Sequence, residues 1–260
     1  MKKLFAAHLA AFAIAIAFAG SASAADLAIK VPEPVAPPFN WTGCYIGVHV
    51  GAGFAKKDIT DPVQLVQDSF NGLGSTVGVT TVSPSPRGAV IGGQGGCDYQ
   101  FASSPIVIGI QGDVAGATLR NNKTVGLPLG NPGETAIVDA KTEFLTSVTG
   151  RIGYAFDNLL LYAKAGAAMA GDKYEVSGAF TGVPFDFRGL EDRWGWTAGA
   201  GIDWAFTRHW SANLEYDYYG FGTRTSTFAD QANVFQGPVN VRQSIQVVKV
   251  GVNFHMWAGQ

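Results

Sequence analysis

The stretch Trp41–Phe54, WTGCYIGVHVGAGF, changes character at every second residue. Its even positions Cys44, Ile46, Val48, Val50, Ala52 and Phe54 are apolar or small, while the odd positions are Tyr45, Gly47, His49, Gly51 and Gly53. A period of two marks a strand with two unlike faces. One face against lipid and one in a crowded interior, where glycine makes room, satisfy that pattern.

Seven further segments read the same way: Arg87–Phe101, Ile106–Ala117, Glu143–Phe156, Leu159–Met169, Arg193–Phe206, Trp210–Tyr219 and Gln243–Met256. In the last, Val248, Val250, Val252 and Phe254 stand opposite Lys249 and Asn253. The connections alternate in length. Ala102–Pro105, Asp157-Asn158 and Thr207–His209 are tight, whereas Ala55–Pro86, Leu119–Thr142, Ala170–Asp192 and Gly220–Arg242 are long and polar. Outer-membrane barrels segregate short periplasmic turns from long extracellular loops in this manner, and a soluble sandwich has no reason to. Trp41, Tyr154, Phe156, Trp204, Phe206, Trp210, Phe254 and Trp257 lie at strand ends beside the short turns, as an interfacial girdle requires. The expected fold is therefore all-β: an eight-stranded antiparallel transmembrane barrel over 41–257 with four long extracellular loops.

Composition agrees. Charged residues are 15% of the chain, against ~25% in soluble domains, and glycine is 34 of 260. A formal charge of −2 supplies no basic field, so no nucleic-acid partner is expected. Residues 1–24 read as a secretory signal: Lys2 and Lys3, an apolar stretch from Leu4, then Ala22-Ser23-Ala24, with cleavage between Ala24 and Ala25. Downstream, no apolar run approaches the ~20 residues of a membrane helix, so any spanning must be done by strands. Residues 25–40 carry Pro32, Pro34, Pro37 and Pro38 and are expected to form a periplasmic tether.

The inward positions collect polar groups: His49, Gln94, Asp98, Gln111, Asp113, Arg151, Lys164, Asp203, Asn213, Glu215, Asp217, Lys249 and Asn253. An eight-stranded barrel is just wide enough for side chains to fill it. We therefore expect a plugged lumen, with Lys249 paired to Glu215 and Lys164 to Asp203. Cys44 and Cys97 fall near the same end of neighbouring antiparallel strands, both on the outward face. They are either bridged or two small apolar side chains facing lipid.

Catalytic signatures are missing. The sequence holds no phosphate loop, no Gly-x-Ser-x-Gly elbow and no His-Glu-x-x-His pair. His49 points inward and is expected to be a hydrogen-bonded lumen side chain rather than a metal ligand. His255 is placed at the periplasmic rim, and no His and Ser share an outward face at one height. No catalytic residue, metal or cofactor is expected.

The stretches Phe39–Gly47 (FNWTGCYIG), Ile108–Asp113 (IGIQGD), Arg151–Asn158 (RIGYAFDN) and Gly195–Gly201 (GWTAGAG) resemble the small porin-like outer-membrane proteins of alphaproteobacteria. These are often called outer-membrane immunogenic proteins, and belong with the OmpA-like eight-stranded barrels. The resemblance implies a Gram-negative outer-membrane location, contact with lipid and lipopolysaccharide, assembly from the C-terminal strand by the barrel-assembly machinery, and a monomer with structural or surface-exposed roles. Members usually end on an aromatic residue, whereas His255–Gln260 follow Phe254 here. The expected function is a non-enzymatic envelope barrel displaying its loops. A small-solute porin and a secreted soluble adhesin are the alternatives, and the loops show no motif that names a partner.

Overall fold

The computed structural model describes residues 39–60, 81–127, 132–230 and 236–256. The expected signal peptide, its cleavage point at Ala24 and Ala25, and the proline-rich segment as far as Pro38 lie outside the described residues. Nine strands run through the described chain: β1 Gly43–Thr60, β2 Thr81–Val82, β3 Arg87–Gln100, β4 Ile106–Gly126, β5 Thr135–Phe156, β6 Leu159–Phe180, β7 Val183–Ala205, β8 Trp210–Asp230 and β9 Gln236–His255. The short β2 only lines the end of β1. The other eight pair antiparallel in chain order, and β9 returns to β1 from Tyr45↔His255 to Thr60↔Asn240, which closes the sheet.

One row of partners starts at Gly43 and passes through Asp98, Gly109, Arg151, Lys164, Gly199, Asp217 and Val247. It re-enters β1 at Gly53, ten residues above its start. That offset is the shear of the barrel, and for eight staves it tilts them about 40° from the axis.

The strand bounds differ from those expected. β4 to β9 run 20 to 23 residues, about twice the ~9–11 that cross a bilayer. Most of what reads as loop in Leu119–Thr142, Ala170–Asp192 and Gly220–Arg242 is strand. β4 and β5 pair out to Gly126↔Thr135, β6 and β7 to Phe180↔Val183, and β8 and β9 to Ala229↔Gln236. Only Thr181 and Gly182, both at positive φ, turn the chain between β6 and β7. The cause is an outward face that is polar while the inward face is not. Ile59, Val138, Val176, Phe180 and Val241 pack into a core of their own inside these hairpins. In the first long connection β1 extends to Thr60, and residues 61–80 lie outside the described residues.

Register shifts at Gly116/Leu119, Thr142/Phe144 and Gly220/Gly222 mark the junction between the two halves. On the turn side, Val48, Ile91, Ile110, Val114, Val148, Ile152, Trp196 and Val250 form an exposed apolar band. Tyr99–Phe101, Tyr154–Phe156, Trp204–Phe206 and Trp210–Phe254 stack as ring pairs near the short turns. Trp41 is not part of that girdle. It is 1% exposed and sits inside the barrel against Phe39 and His255, because the chain enters β1 from the lumen side. Trp257 lies outside the described residues.

Candidate functional site

The lumen is built in alternating layers that can be read strand by strand. Inward positions of β6 run Leu160, Tyr162, Lys164, Gly166, Ala168, Ala170, Asp172, Tyr174, Val176 from the turn end upward. Those of β9, read in the same direction, run His255, Asn253, Gly251, Lys249, Val247, Ile245, Gln243, Val241. Each strand thus passes through a charged stretch, an apolar pair, a second polar position and a second apolar stretch. Glycines lie across from the larger polar groups. A Cβ on Gly109 would collide with the Asp98 carboxylate, and one on Gly199 with Asp217, so these glycines clear space for the lumen charges.

The lowest ionic group is Arg151. Its Nε stands 3.2 Å from Asp98 and its Nη2 3.9 Å from Asp203, with the guanidinium over the Tyr162 ring and donating to the Tyr45 hydroxyl at 2.7 Å. Asn253 donates to Asp203 and accepts from Gln94, and His255 shares a hydrogen bond with Ser211 at 3.0 Å. Above it, Lys164 and Lys249 meet Asp113, Glu215 and Asp217. Lys249 Nζ lies 2.6 Å from Asp113, 2.8 Å from Glu215 and 3.1 Å from Asp217. Lys164 bonds Glu215 and lies 3.2 Å from Asp217. Tyr162 donates to Glu215 at 2.6 Å, and Gln111 bridges Glu215 and Asp113.

One expected pair does not form. Lys164 does not reach Asp203, because Glu215 and Asp217 on β8 come up beside it while Asp203 is held beside Arg151 one layer lower. His255 is buried inside the rim rather than standing on it. His49, Gln94, Gln111, Asn213 and Asn253 are all buried in the lumen, as are the eight charged groups. Among the described residues no set of His, Cys, Asp and Glu has the arrangement of a metal site. Cys44 and Cys97 face each other across β1 and β3 with Cα atoms 4.0 Å apart, joined by a disulfide.

Sequence reading misses a third ionic group above the first apolar layer. Lys57 Nζ is 2.7 Å from Asp172, which also accepts from Thr142 at 2.6 Å and lies 3.7 Å from Arg193. Arg193 donates to the Val241 carbonyl and pairs with Glu191. Lys57 and Asp172 lie in stretches that read as loop, so their inward direction is lost with the alternation. This group stands above the apolar band. Burial draws the Lys57 ammonium below its usual range, against the pull of Asp172. The layer that separates it from Lys249 is Ala55, Val90, Ala117, Leu119, Leu145, Ala170, Phe221, Ile245 and their neighbours.

A closed eight-stave ring, an apolar belt outside and ionic layers inside define an integral barrel, and the sequence comparison places it. The model of the outer membrane protein beta-barrel domain matches residues 10–254. The chain belongs to that family. It is 30% identical over 253 residues to a 31 kDa outer-membrane immunogenic protein of Brucella melitensis, covering 93% of this chain and 96% of the relative. A 25 kDa outer-membrane immunogenic protein of Brucella abortus is 26% identical over 244 residues, with 92% and 91% covered. The outer membrane protease OmpT of Escherichia coli overlaps at a TM-score of 0.49 and 7% identity, over 84% of this chain and 98% of that one. So slight an overlap has no bearing on this chain's chemistry. An outer-membrane location follows from the family, and it removes the soluble adhesin.

Proposed function

We propose that this protein is a non-enzymatic envelope barrel whose lumen is closed and whose stiff hairpins display their tips outside the cell. The barrel acts as a monomer inserted by the barrel-assembly machinery. The carrying observation is the apolar layer around Leu119 and Ile245, set between the Lys164–Lys249 ionic layer below and the Lys57–Asp172–Arg193 layer above. Water and ions crossing that layer would shed their hydrogen bonds, with the Tyr219 hydroxyl the one side-chain polar group of the cluster to replace them. The charged column below it supports a small-solute pore as the second reading.

Purified protein in planar bilayers separates the two. The unmodified chain should give no steady conductance, whereas Leu119→Ala with Ile245→Ala thins the layer and should admit small ions. A large, steady conductance from the unmodified monomer would overturn closure in favour of the pore. For orientation, an epitope tag at Gly182 should be labelled on intact cells and one at Asn158 should not; the reverse labelling would invert the display reading.

A further inference from the structure

The polar column around Arg151, Lys164 and Lys249 is bounded by an apolar layer at each end, and the two layers are built differently. The upper one takes its side chains from the wall: Ala55 of β1, Val90 of β3, Leu119 of β4, Leu145 of β5, Phe221 of β8 and Ile245 of β9 are buried strand residues. In the lower one the wall supplies Val107, Ala155, Leu160, Tyr162 and Ala205, and the largest member, Trp41, comes from outside the sheet. Trp41 lies ahead of β1, whose pairing begins at Gly43 opposite Asp98. The side chains of Ala155 and Ala205 end one carbon from the backbone, so the indole and the Phe39 ring beside it fill what the wall leaves open.

Ring packing does most of the work of seating these two residues. Trp41 donates its backbone N–H to the Gln100 side chain at 3.0 Å, and the Thr42 hydroxyl accepts from the Gln100 backbone at 3.0 Å. The rest is edge contact: the Phe39 and Trp41 ring centroids are 4.7 Å apart, and the His255 ring lies 5.4 Å from the first and 6.0 Å from the second. The Trp41 Nε1–H is buried with no hydrogen-bond partner, a desolvation cost that withdrawal into water would relieve. Gly43 turns the chain at φ 149°, where residues with a side chain are strained, and gives the segment a pivot at the mouth. Asp203 Oδ1 and Asn213 Oδ1, on the lumen wall, are likewise buried without a partner, so water reaching them would find groups to bond. We infer that Phe39–Trp41 is a removable stopper, and that the lumen below its upper layer is a chamber opening at one end only, toward the short turns. The inference deepens the closed-lumen reading and rests on it. When the stopper swings out, the polar column meets the periplasm, while the layer around Leu119 and Ile245 still blocks passage.

The test reads access to the chamber with a single introduced thiol in the full chain. Cys44 and Cys97 are bridged to each other, so a new cysteine reports alone. Asn213→Cys places it in the chamber, and Ala117→Cys places it in the upper layer. A charged methanethiosulfonate reagent should modify both slowly. Adding Phe39→Ala/Trp41→Ala should speed the reaction of Asn213→Cys about tenfold or more and leave that of Ala117→Cys unchanged. Trp41→Phe, which keeps a ring in the lower layer, should react at nearly the original rate. If the double variant loses its heat-modified gel shift, Trp41→Leu alone should give an intermediate rate. Equal rates at Asn213→Cys with and without the two rings would overturn the stopper. In planar bilayers Phe39→Ala/Trp41→Ala should stay as silent as the unmodified protein. A steady current from that variant alone would overturn the one-ended chamber, because the rings would then be the barrel's only seal. A current from the unmodified protein would instead sink the closed upper layer, so the two failures are told apart.

Discussion

Below the register shifts, the staves turn Ile91, Val148 and Trp196 outward and Asp113, Glu215 and Lys249 inward. Above them, the same staves turn Arg120, Lys141 and Lys173 outward and pack Val138, Val176 and Val241 inward. The same strands run through both halves, with register shifts at the junction, and the chemistry of their two faces exchanges where the surrounding solvent does. Lipid offers no hydrogen bonds, so the lower half must enclose its charges and satisfy them internally. Water does offer them, so the upper half returns to the ordinary arrangement of a soluble protein, apolar inside and charged outside. The Lys57–Asp172–Arg193 group is the exception, a buried ionic layer in the half that has no need of one.

The largest effect that would break this comparison is removal of a lower-half charge. In Lys249→Ala, Asp113, Glu215 and Asp217 would be left with Lys164 alone. An uncompensated buried charge of this kind costs about 3–5 kcal/mol, read as a loss of folded fraction in urea titrations of barrels in lipid vesicles. An unchanged midpoint would mean that the lumen charges are solvated rather than paired. Next comes a single substitution made in both halves. Val148→Arg places a charge in the apolar band and should cost about 2–4 kcal/mol. Leu190→Arg, at a position 76% exposed in the upper half, should fall within about 0.5 kcal/mol of wild type. Similar costs at both sites would erase the boundary between lipid and water.

The disulfide ties the lower half at its turn end. Mass spectrometry of unreduced peptides should recover Cys44 linked to Cys97, and reduction should lower stability by about 2–4 kcal/mol through the 53-residue loop it releases. Two free thiols in membrane-extracted protein would remove the tie.

How legible each half was in the sequence follows from the same exchange. Lower-half strands alternate between strongly apolar and polar residues, so Ile46 and His49, or Val250 and Lys249, assign their own faces, and their bounds lie close to the observed ones. In the upper half, Lys141, Asp139 and Glu175 sit among short apolar side chains such as Ala140 and Val138. Charges at every second position then look like a loop to a reader who expects lipid outside. Glu215 beside Lys249 follows from strand adjacency. Lys164 with Asp203 failed because partner choice depends on which carboxylate reaches a given height across the lumen, and that depends on the shear.

The smallest effect lies on the outer face of the junction, at Glu143 above the apolar band. Hydrogen bonds from Lys141 and Lys173 hold its carboxyl below the ordinary value near 4.5. A carboxyl lowered on folding contributes stability that is fully present above its unfolded value and is lost as pH falls through the folded one. The contribution is slight, because the group is open to water and its partners are screened. A carbon-detected NMR titration should place Glu143 below 4.5 in the folded barrel, and Lys141→Gln or Lys173→Gln should move it back up. An ordinary value in the unmodified protein would mean that the lysines do not bracket this acid. Glu143→Gln should therefore weaken the hairpin base only slightly, read as a small loss of folded fraction in urea titrations.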